Sequence, residues 1–294
     1  MSGPRKVVVD TDPCLLTFGL DVDDDLALLF LLASPEVEVI GVTTTYGNSL
    51  GSLTYRDAKG LLRRAGRSDI PVKRGAGFFA RDTRETEASR FLVETVRRQP
   101  GEVTLLTLGP LTNLAAAVHA WPELPRHLRD LVMMGGRSRS GLSEFNFRKD
   151  PRSAAAALAL QVPKVGIPFD LIFPVVITER DLDALATSRV LAPLLPRLHR
   201  FARLQDRFRR RRHRFPEQLP GGFHPWDGVA AAWLVAPDLF HDLAEVVHLV
   251  DAKGRSSLTA PDGSATVRLP GAIDAAGFKR LFLSRLGALA ASGR

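Results

Sequence analysis

The sequence has a single cysteine, Cys14, and lacks long uninterrupted apolar segments. One cysteine cannot form a disulfide within the chain, and it is compatible with a reducing compartment. The longest apolar run, residues 26–33, is too short to cross a bilayer. Asp10 and Asp12 interrupt the first apolar run, so no early segment has the pattern of a signal peptide. We therefore expect a soluble, cytoplasmic protein that does not bind membranes.

Nucleic-acid-binding motifs are also missing, although the formal net charge is +8. Much of the positive charge lies in residues 197–214, where apolar side chains recur every three or four positions, as on one face of a helix. A solvated arginine face on an amphipathic helix explains this segment well, because the segment shows no pattern of stacking aromatic residues. We expect no nucleic-acid partner; the alternative is that this segment binds nucleic acid or an acidic partner.

Strand and helix patterns alternate along the chain, which predicts an α/β fold with a largely parallel, Rossmann-like open sheet and helices on both faces. The 294 residues, 45% of them hydrophobic, suffice for one such domain covering residues 1–294. The predicted strands are residues 6–9, 37–44, 71–74, 103–108, 131–134 and 165–169. The predicted helices are residues 24–33, 56–65, 88–98 and 154–160, and one that begins at residue 112.

Six carboxylates are concentrated around the first strand-to-helix turn. The first strand ends in Asp10-Thr11-Asp12-Pro13, and Asp21-Val22-Asp23-Asp24-Asp25 precedes an apolar helix. Crowded like charges raise one another's pKa, so such a cluster is usually neutralised by a cation or used as an acid or base. Oxygen ligands without His or Cys favour calcium or magnesium over zinc. Helix capping accounts for only one or two of these residues.

Other polar or flexible residues follow the later strands. They are Asn48, the Leu108 region, Met134 with Gly135 and Gly136, and Asp170. Each one alone is explained by a turn or a helix cap. Because ligands of open α/β sheets bind at the carboxyl ends of the strands, we predict that one crevice receives the whole set.

Several sequence blocks resemble the inosine-uridine preferring nucleoside hydrolase family, which cleaves ribonucleosides to ribose and free base. The family's opening Asp-x-Asp-Pro-Gly-x-Asp-Asp pattern matches residues 10–13 and then Asp23-Asp24, after an insertion. Further matches follow in the same order at residues 43–48, 108–114, 132–136, 144–146, 150–151 and 226–230. The resemblance covers roughly residues 5–240 and implies the nucleoside hydrolase fold.

The resemblance also implies a calcium ion, held by Asp12, Asp24, the backbone carbonyl of Leu108 and Asp227. A water and the ribose 2′- and 3′-hydroxyls would complete the shell, which suits the many oxygen ligands of calcium. Asp12 would take the proton from the calcium-bound water that attacks the anomeric carbon. Asp10 would orient the cluster from behind it.

A second group of residues is implied to contact the substrate. Asp23 would bind the ribose 2′-hydroxyl, Asn48 would lie beside the metal, and Glu144 with Asn146 would hold the 5′-hydroxyl end. The full set of substrate-binding residues implied by the resemblance is Asp23, Asn48, Met134, Glu144, Asn146, His224 and Trp226.

The chain departs from the family pattern at four places. Residues 14–22 are an insertion that must loop out and return, which Gly19 permits. Trp226 stands where many members have a His that assists the leaving base, with His224 two residues earlier. The region 75–87 is short and keeps Phe78, Phe79, Arg81 and Arg84, and the segment 136–144 is trimmed.

These departures leave alternatives beside a calcium-dependent ribonucleoside hydrolase. A non-catalytic homologue would keep the metal and ribose pocket without turnover. A haloacid-dehalogenase-type phosphohydrolase also has Asp-x-Asp after its first strand, but it gives no role to Asp23, Asp24 or the Trp226-Asp227 pair. If the arginine-rich helix covers the base end of the crevice, Phe208, Arg209 or His213 would touch the base or a 5′-phosphate. Relatives are commonly homodimers or homotetramers, which implies a homo-oligomer.

Overall fold

The computed structural model describes residues 3–19, 21–77, 85–211 and 221–289, with the backbone alone described for residues 207–211. The strands are β1 Arg5–Thr11, β2 Val37–Thr44, β3 Val72–Arg74, β4 Val103–Thr107, β5 Asp130–Met134, β6 Lys164–Ile167, β7 Phe240–His241, β8 Ala244–Val250, β9 Ser256–Thr259, β10 Val267–Leu269 and β11 Ala272–Ile273. The helices are α1 Asp23–Leu32, α2 Gly51–Arg64, α3 Glu87–Arg98, α4 Thr112–Ala120, α5 Leu124–His127, α6 Phe145–Lys149, α7 Pro151–Leu158, α8 Glu179–Asp183, α9 Leu195–Arg211, α10 Trp226–Val235 and α11 Ala275–Ala288.

Within these residues, a central sheet of nine strands has the order β3-β2-β1-β4-β5-β6-β10-β8-β9. The pairs from β3 through β6 to β10 are parallel, whereas β8 pairs antiparallel with both β10 and β9. The prediction of a largely parallel α/β sheet is therefore confirmed. The antiparallel extension at one edge was not predicted, and neither was the separate β7–β11 pair.

Helices cover both faces of the sheet, as predicted. Successive residues of a strand point to opposite faces, so Val7 and Val9 of β1 belong to one apolar core and Val8 to the other. One core contains the apolar residues of α1, α10 and α11, and the other contains those of α3, α4 and α7. All three valines are fully buried, which is typical of a parallel strand covered on both faces.

The placement of α1 and α10 determines the position of the site. Nearly every residue of both helices is buried, and the two helices pack against each other. A helix that is apolar all round is stable only inside a large core. Both helices begin with acidic residues at the same end of the sheet, so their packing brings distant carboxylates together.

The predicted helix boundaries are close to the observed ones, with two differences. α2 begins at Gly51 rather than at residue 56, and α7 begins at Pro151, one residue after the Asp150 side chain that caps it. The arginine-rich segment is helical as α9, with Leu198 and Phe201 buried and Arg200 exposed. In the described part of the chain, every helix is too short or too polar to span a membrane.

Candidate active site

A cavity of about 180 Å³ opens among the loops that follow the parallel strands. The residues that line it are Asp12, Asp21, Asp23, Asp24, Asn48, Leu108, Met134, Glu144, Phe145, Asn146, Phe169, Trp226 and Asp227. Ten of the twelve residues predicted from the sequence are in this set. Asp10 and His224 are not in it, and the sequence analysis assigned no role to Asp21, Phe145 or Phe169.

Three carboxylates form the deepest acidic cluster of the cavity. Asp23, Asp24 and Asp227 each place one oxygen within 4.8 Å of the other two, and all three residues are buried. Asp23 and Asp24 lie in the first turn of α1, and Asp227 lies in the first turn of α10. The positive ends of the two helix dipoles therefore favour negative charge here. Asp24 and Asp227 are two of the ligands that the family resemblance implies, and Asp23 was expected at the ribose; Asp12 lines the same cavity, and its role as a ligand stays a prediction.

Asp12 lies beside this cluster and is held from two sides. Its backbone N–H donates to Asp24 Oδ1 at 3.0 Å, and its Oδ2 accepts the backbone N–H of Asn48 at 2.5 Å. The Nδ2 of Asn48 donates to Asp24 Oδ2 at 2.9 Å, so one residue contacts both carboxylates. A Cβ at Gly109 would lie 2.4 Å from Asp12 Oδ1. The close approach of this backbone to Asp12 therefore requires glycine.

The site strongly disfavours ionised carboxylates unless a cation is present. Burial, and after it the charge of Asp24, raises the pKa of Asp12 well above its usual range. Burial, and after it the charge of Asp21, raises the pKa of Asp24 to about 6. Burial also raises the pKa of Asp227, with Asp23 as the next cause. A divalent ion would reverse these shifts because it stabilises the charged forms.

The donor set fits a hard cation. Among the described residues, Asp23 Oδ1 is buried in the cavity without a hydrogen-bond partner, so it is available as a ligand. The carboxylates and the Leu108 carbonyl near them offer oxygen ligands. Calcium and magnesium prefer such ligands. The residues present therefore fit the divalent ion that the family resemblance implies.

Asp10 is fully buried and does not line the cavity. Its Oδ1 accepts hydrogen bonds from Thr43 Oγ1 at 2.6 Å and from Asn113 Nδ2 at 2.7 Å. Burial raises its pKa to about 7, and these two hydrogen bonds partly offset the effect. Asn113 Oδ1 in turn accepts the N–H of Ala76 at 2.9 Å. The position is compatible with the predicted supporting role, which stays a prediction.

Glu144 and Asn146 lie together at the opposite wall. Glu144 caps α6 and accepts the backbone N–H groups of Asn146, Phe147 and Gly136 at 2.8, 3.1 and 3.3 Å. Asn146 Nδ2 donates to the carbonyl of Leu108 at 2.6 Å and to that of Met134 at 3.3 Å. These contacts fix the Leu108 carbonyl at the cavity.

An aromatic pair forms another side of the cavity. The rings of Trp226 and Phe169 stack with centroids 4.9 Å apart and an interplanar angle of 13°. The guanidinium of Arg137 lies 4.2 Å from the Phe169 ring centre. His224 is buried, its Nδ1 lies 2.7 Å from the carbonyl oxygen of Val175, and the residue does not line the cavity. The structure therefore brings Trp226 to the cavity and places the His224 ring next to it, with the ring centroids 5.3 Å apart; a role for His224 at the base stays a prediction.

Some of the predicted contacts fall outside the described part of the chain. They are the side chains of Phe78, Phe79, Arg81, Arg84, Phe208, Arg209 and His213. Of the three cavity residues that had no assigned role, Phe145 lies inside a matching sequence block, and Asp21 lies in the insertion, within the acidic run that precedes α1. Phe169 is the last residue of a predicted strand, which is the signal that could have identified it.

The fold and the site together define the class of nucleoside hydrolases. A solved plant nucleoside hydrolase superimposes with a TM-score of 0.82 at 26% identity, covering 97% of this chain and 99% of that chain. The chain belongs to the inosine-uridine preferring nucleoside hydrolase family, whose model matches residues 7–280. This is a family of N-glycosyl hydrolases, and the resemblance inferred from the sequence is confirmed.

Two curated relatives show how far the similarity extends. A probable uridine nucleosidase 2 from Arabidopsis thaliana is 34% identical over 63% of this chain, and the match spans 65% of that relative's length. The pyrimidine-specific ribonucleoside hydrolase RihA of Citrobacter koseri is 29% identical over 90% of this chain and 94% of its own length. These similarities lend no support to the phosphohydrolase alternative.

Proposed function

We propose that the protein hydrolyses the N-glycosidic bond of ribonucleosides to ribose and free base, and that this activity depends on calcium. The observation that carries the proposal is the convergence of Asp23, Asp24 and Asp227 in one buried cluster. Buried carboxylates need a cation to stay ionised together, and a riboside offers neighbouring hydroxyls that complete a many-oxygen calcium shell. The related pyrimidine-specific hydrolase supports the same substrate class.

Asp12 accepts the proton of the attacking water. The hydrogen bond from the Asn48 N–H holds its carboxylate at the cavity, beside the acidic cluster. Burial makes the ionised form of Asp12 a better proton acceptor than an ordinary aspartate, because its pKa is raised. A divalent ion held by Asp23, Asp24 and Asp227 would supply Lewis acidity that lowers the pKa of this water. Asp12 and the cluster therefore act together on one water.

The other carboxylates stabilise the sugar as the bond breaks. Loss of the base builds positive charge on the ribose in an oxocarbenium-like transition state. The negative groups around the cavity are already in place before that charge develops. We assign Asp23 to the 2′-hydroxyl, Asn48 to the hydroxyls beside the cation, and Glu144, Asn146 and Met134 to the 5′ end. This arrangement selects ribose over deoxyribose.

We assign the stacked pair of Trp226 and Phe169 to the base. An indole offers a large flat surface for a purine or pyrimidine. The side chain of Trp226 has no proton to give at neutral pH, so its contribution is to hold the departing base rather than to protonate it. His224 does not line the cavity, and its Nδ1 lies 2.7 Å from the Val175 carbonyl oxygen, so we assign it no direct contact with the base.

A nucleoside panel tests the proposal. We expect base release from inosine, uridine or both when calcium is present, slower release from 2′-deoxyuridine, and loss of activity after chelation that calcium restores. Binding of calcium and ribosides without release of base from any nucleoside would instead support the non-catalytic homologue. Faster hydrolysis of the 5′-monophosphates than of the nucleosides would overturn the nucleoside assignment. The expected cytoplasmic location and homo-oligomeric state stay predictions.

A further inference from the structure

In the insertion between Asp12 and Asp23, the described residues 14–19 form a turn, and Cys14 lies next to Asp21. The Sγ of Cys14 lies 3.6 Å from the carbonyl oxygen of Asp21, near the two ends of the turn. The Cys14 carbonyl accepts the N–H groups of Phe18 and Gly19 at 3.1 and 3.0 Å. Gly19 has a φ of +58°, a value that glycine adopts without strain, and this allows the chain to reverse.

Three residues outside the insertion anchor it. Asp25 Oδ2 accepts the N–H groups of Cys14 and Leu15 at 3.2 and 3.1 Å. Asp57 accepts both the hydroxyl and the N–H of Thr17, the latter at 2.8 Å. Both carboxylates are buried.

The third anchor comes from the arginine-rich helix. Nη1 of Arg197, in the first turn of α9, donates to the carbonyl of Leu15 at 2.9 Å and also to the carbonyl of Leu16. Its Cβ is 3.9 Å from where a Cβ of Gly19 would lie. A guanidinium can donate to two carbonyls at once because its N–H groups form a rigid fork.

The anchored turn places Asp21 at the cavity. Asp21 Oδ1 accepts the N–H of Val22 at 2.7 Å and that of Asp23 at 3.4 Å, at the N-terminal end of α1. Asp21 lines the cavity beside the acidic cluster. After burial, its charge is the largest cause of the raised pKa values of Asp23 and Asp24. Asp21 is therefore their strongest electrostatic neighbour.

We propose that Asp21 is an additional anionic residue of the cation site, and that Arg197 is a positioning residue that keeps the insertion in place for it. Asp23 Oδ1, buried and without a partner among the described residues, points to a ligand at the same place. The inference rests on the cation site of the proposed function. It gives a role to two features that this function did not use, the insertion and the start of the arginine-rich helix.

Because Arg197 is positively charged, a change in calcium affinity can distinguish its positioning role from the direct effect of its charge. Removing a positive charge near an acidic cluster strengthens cation binding if charge alone matters. Losing an anchor of the insertion weakens cation binding, because Asp21 is then no longer held at the cavity. The two mechanisms therefore predict opposite changes in affinity. Arg200, exposed on the same helix and outside the anchoring contacts, provides the matched control.

The test is calcium titration of the full-length protein by calorimetry after chelation and dialysis. We expect Asp21→Asn to raise the calcium Kd about tenfold, as is usual for residues that support metal ligands. Asp21→Ser should do the same while keeping an acceptor for the Val22 N–H. Asp238→Asn, which removes an exposed charge elsewhere, should leave the Kd unchanged. Arg197→Ala should raise the Kd, Arg197→Lys should recover part of the loss, and Arg200→Ala should leave it unchanged or slightly lower.

Two results would overturn the inference. If both Asp21 variants bind calcium with a Kd within twofold of that of the unsubstituted protein, Asp21 is not part of the cation site. If Arg197→Ala changes the calcium Kd no more than Arg200→Ala does, Arg197 is not a positioning residue. Both outcomes leave nucleoside hydrolysis by the unsubstituted protein untouched. Failure of the unsubstituted protein to bind calcium would instead refute the cation site and the proposed function with it.

Discussion

The backbone N–H of Asn48 donates to Oδ2 of Asp12 at 2.5 Å, across 36 residues of sequence. A hydrogen bond to a carboxylate favours its ionised form, so this contact lowers the pKa of Asp12 against the effect of burial. Because a backbone group supplies it, the contact persists whatever side chain occupies position 48. The hydrogen bond therefore favours the form of Asp12 that accepts a proton, although burial has the larger effect on its pKa.

Replacing Asp12 with Asn tests its role as the base. The amide keeps the shape of the side chain but cannot accept the proton, so we expect the rate of base release to fall by about 10³-fold. Circular dichroism should show an unchanged fold. Asp238→Asn serves as the control for loss of one negative charge and should retain full activity. Normal nucleoside hydrolysis by the Asp12→Asn variant would contradict the assignment.

Calcium should stabilise the protein more as the pH rises. In the cation-free protein the pKa of Asp24 is raised from 3.8 to about 6. A folded-state pKa above the unfolded value gives stability that is present below pH 3.8 and lost as the pH rises through about 6. Calcium binds the ionised carboxylates, so it compensates for this loss.

The measurement is the Tm with excess calcium minus the Tm with chelator, across pH 4 to 7. We expect the difference to increase with pH, whereas the Tm of the chelated protein alone should decrease from its low-pH value. A difference that is constant over this range would show that the buried carboxylates do not ionise on binding calcium.

Replacing Trp226 tests the assignment of the aromatic wall. Trp226→Phe removes part of the surface that stacks on Phe169 at 4.9 Å, and we expect kcat/KM for nucleosides to fall about tenfold. Trp233 is the control, because it packs against Phe240 and does not line the cavity. If Trp233→Phe reduces kcat/KM as much as Trp226→Phe does, the effect is one of packing and the base lies elsewhere.

Gly109→Ala should misplace Asp12 without straining the backbone. The added Cβ would lie 2.4 Å from Asp12 Oδ1 and 2.8 Å from Thr45 Cγ2. A displacement of about 1 Å in a reacting group costs about 100-fold in rate. We therefore expect Gly109→Ala to release base about 100-fold more slowly. Gly77→Ala is the matched control, because a Cβ there meets nothing within 4 Å. Equal steady-state rates for the two variants would indicate that the position of Asp12 is not critical.

Much of the fold was predictable from local sequence patterns. The buried apolar run of β1 and the acidic residues that follow it are local features, and both are located as predicted. The antiparallel strands β8 and β9 were not predicted. Their pairing depends on β10, which the tertiary structure places at the edge of the parallel strands and which then pairs with β8. Helix starts such as Gly51 depend on contacts with distant loops and not on periodicity.

The candidate site likewise combines features that the sequence determines with features that depend on the tertiary structure. The sequence determined the chemistry of the candidate metal site, whose predicted ligands are oxygen atoms and include no His or Cys, because oxygen ligands and their charge are properties of the residues themselves. It also determined that the polar residues gather at the carboxyl ends of parallel strands. The tertiary structure alone decided that Asp23 groups with Asp24 and Asp227, and that Nδ1 of His224 lies next to the Val175 carbonyl. The packing of α1 against α10 brings residues 204 positions apart together, and such packing depends on the whole core.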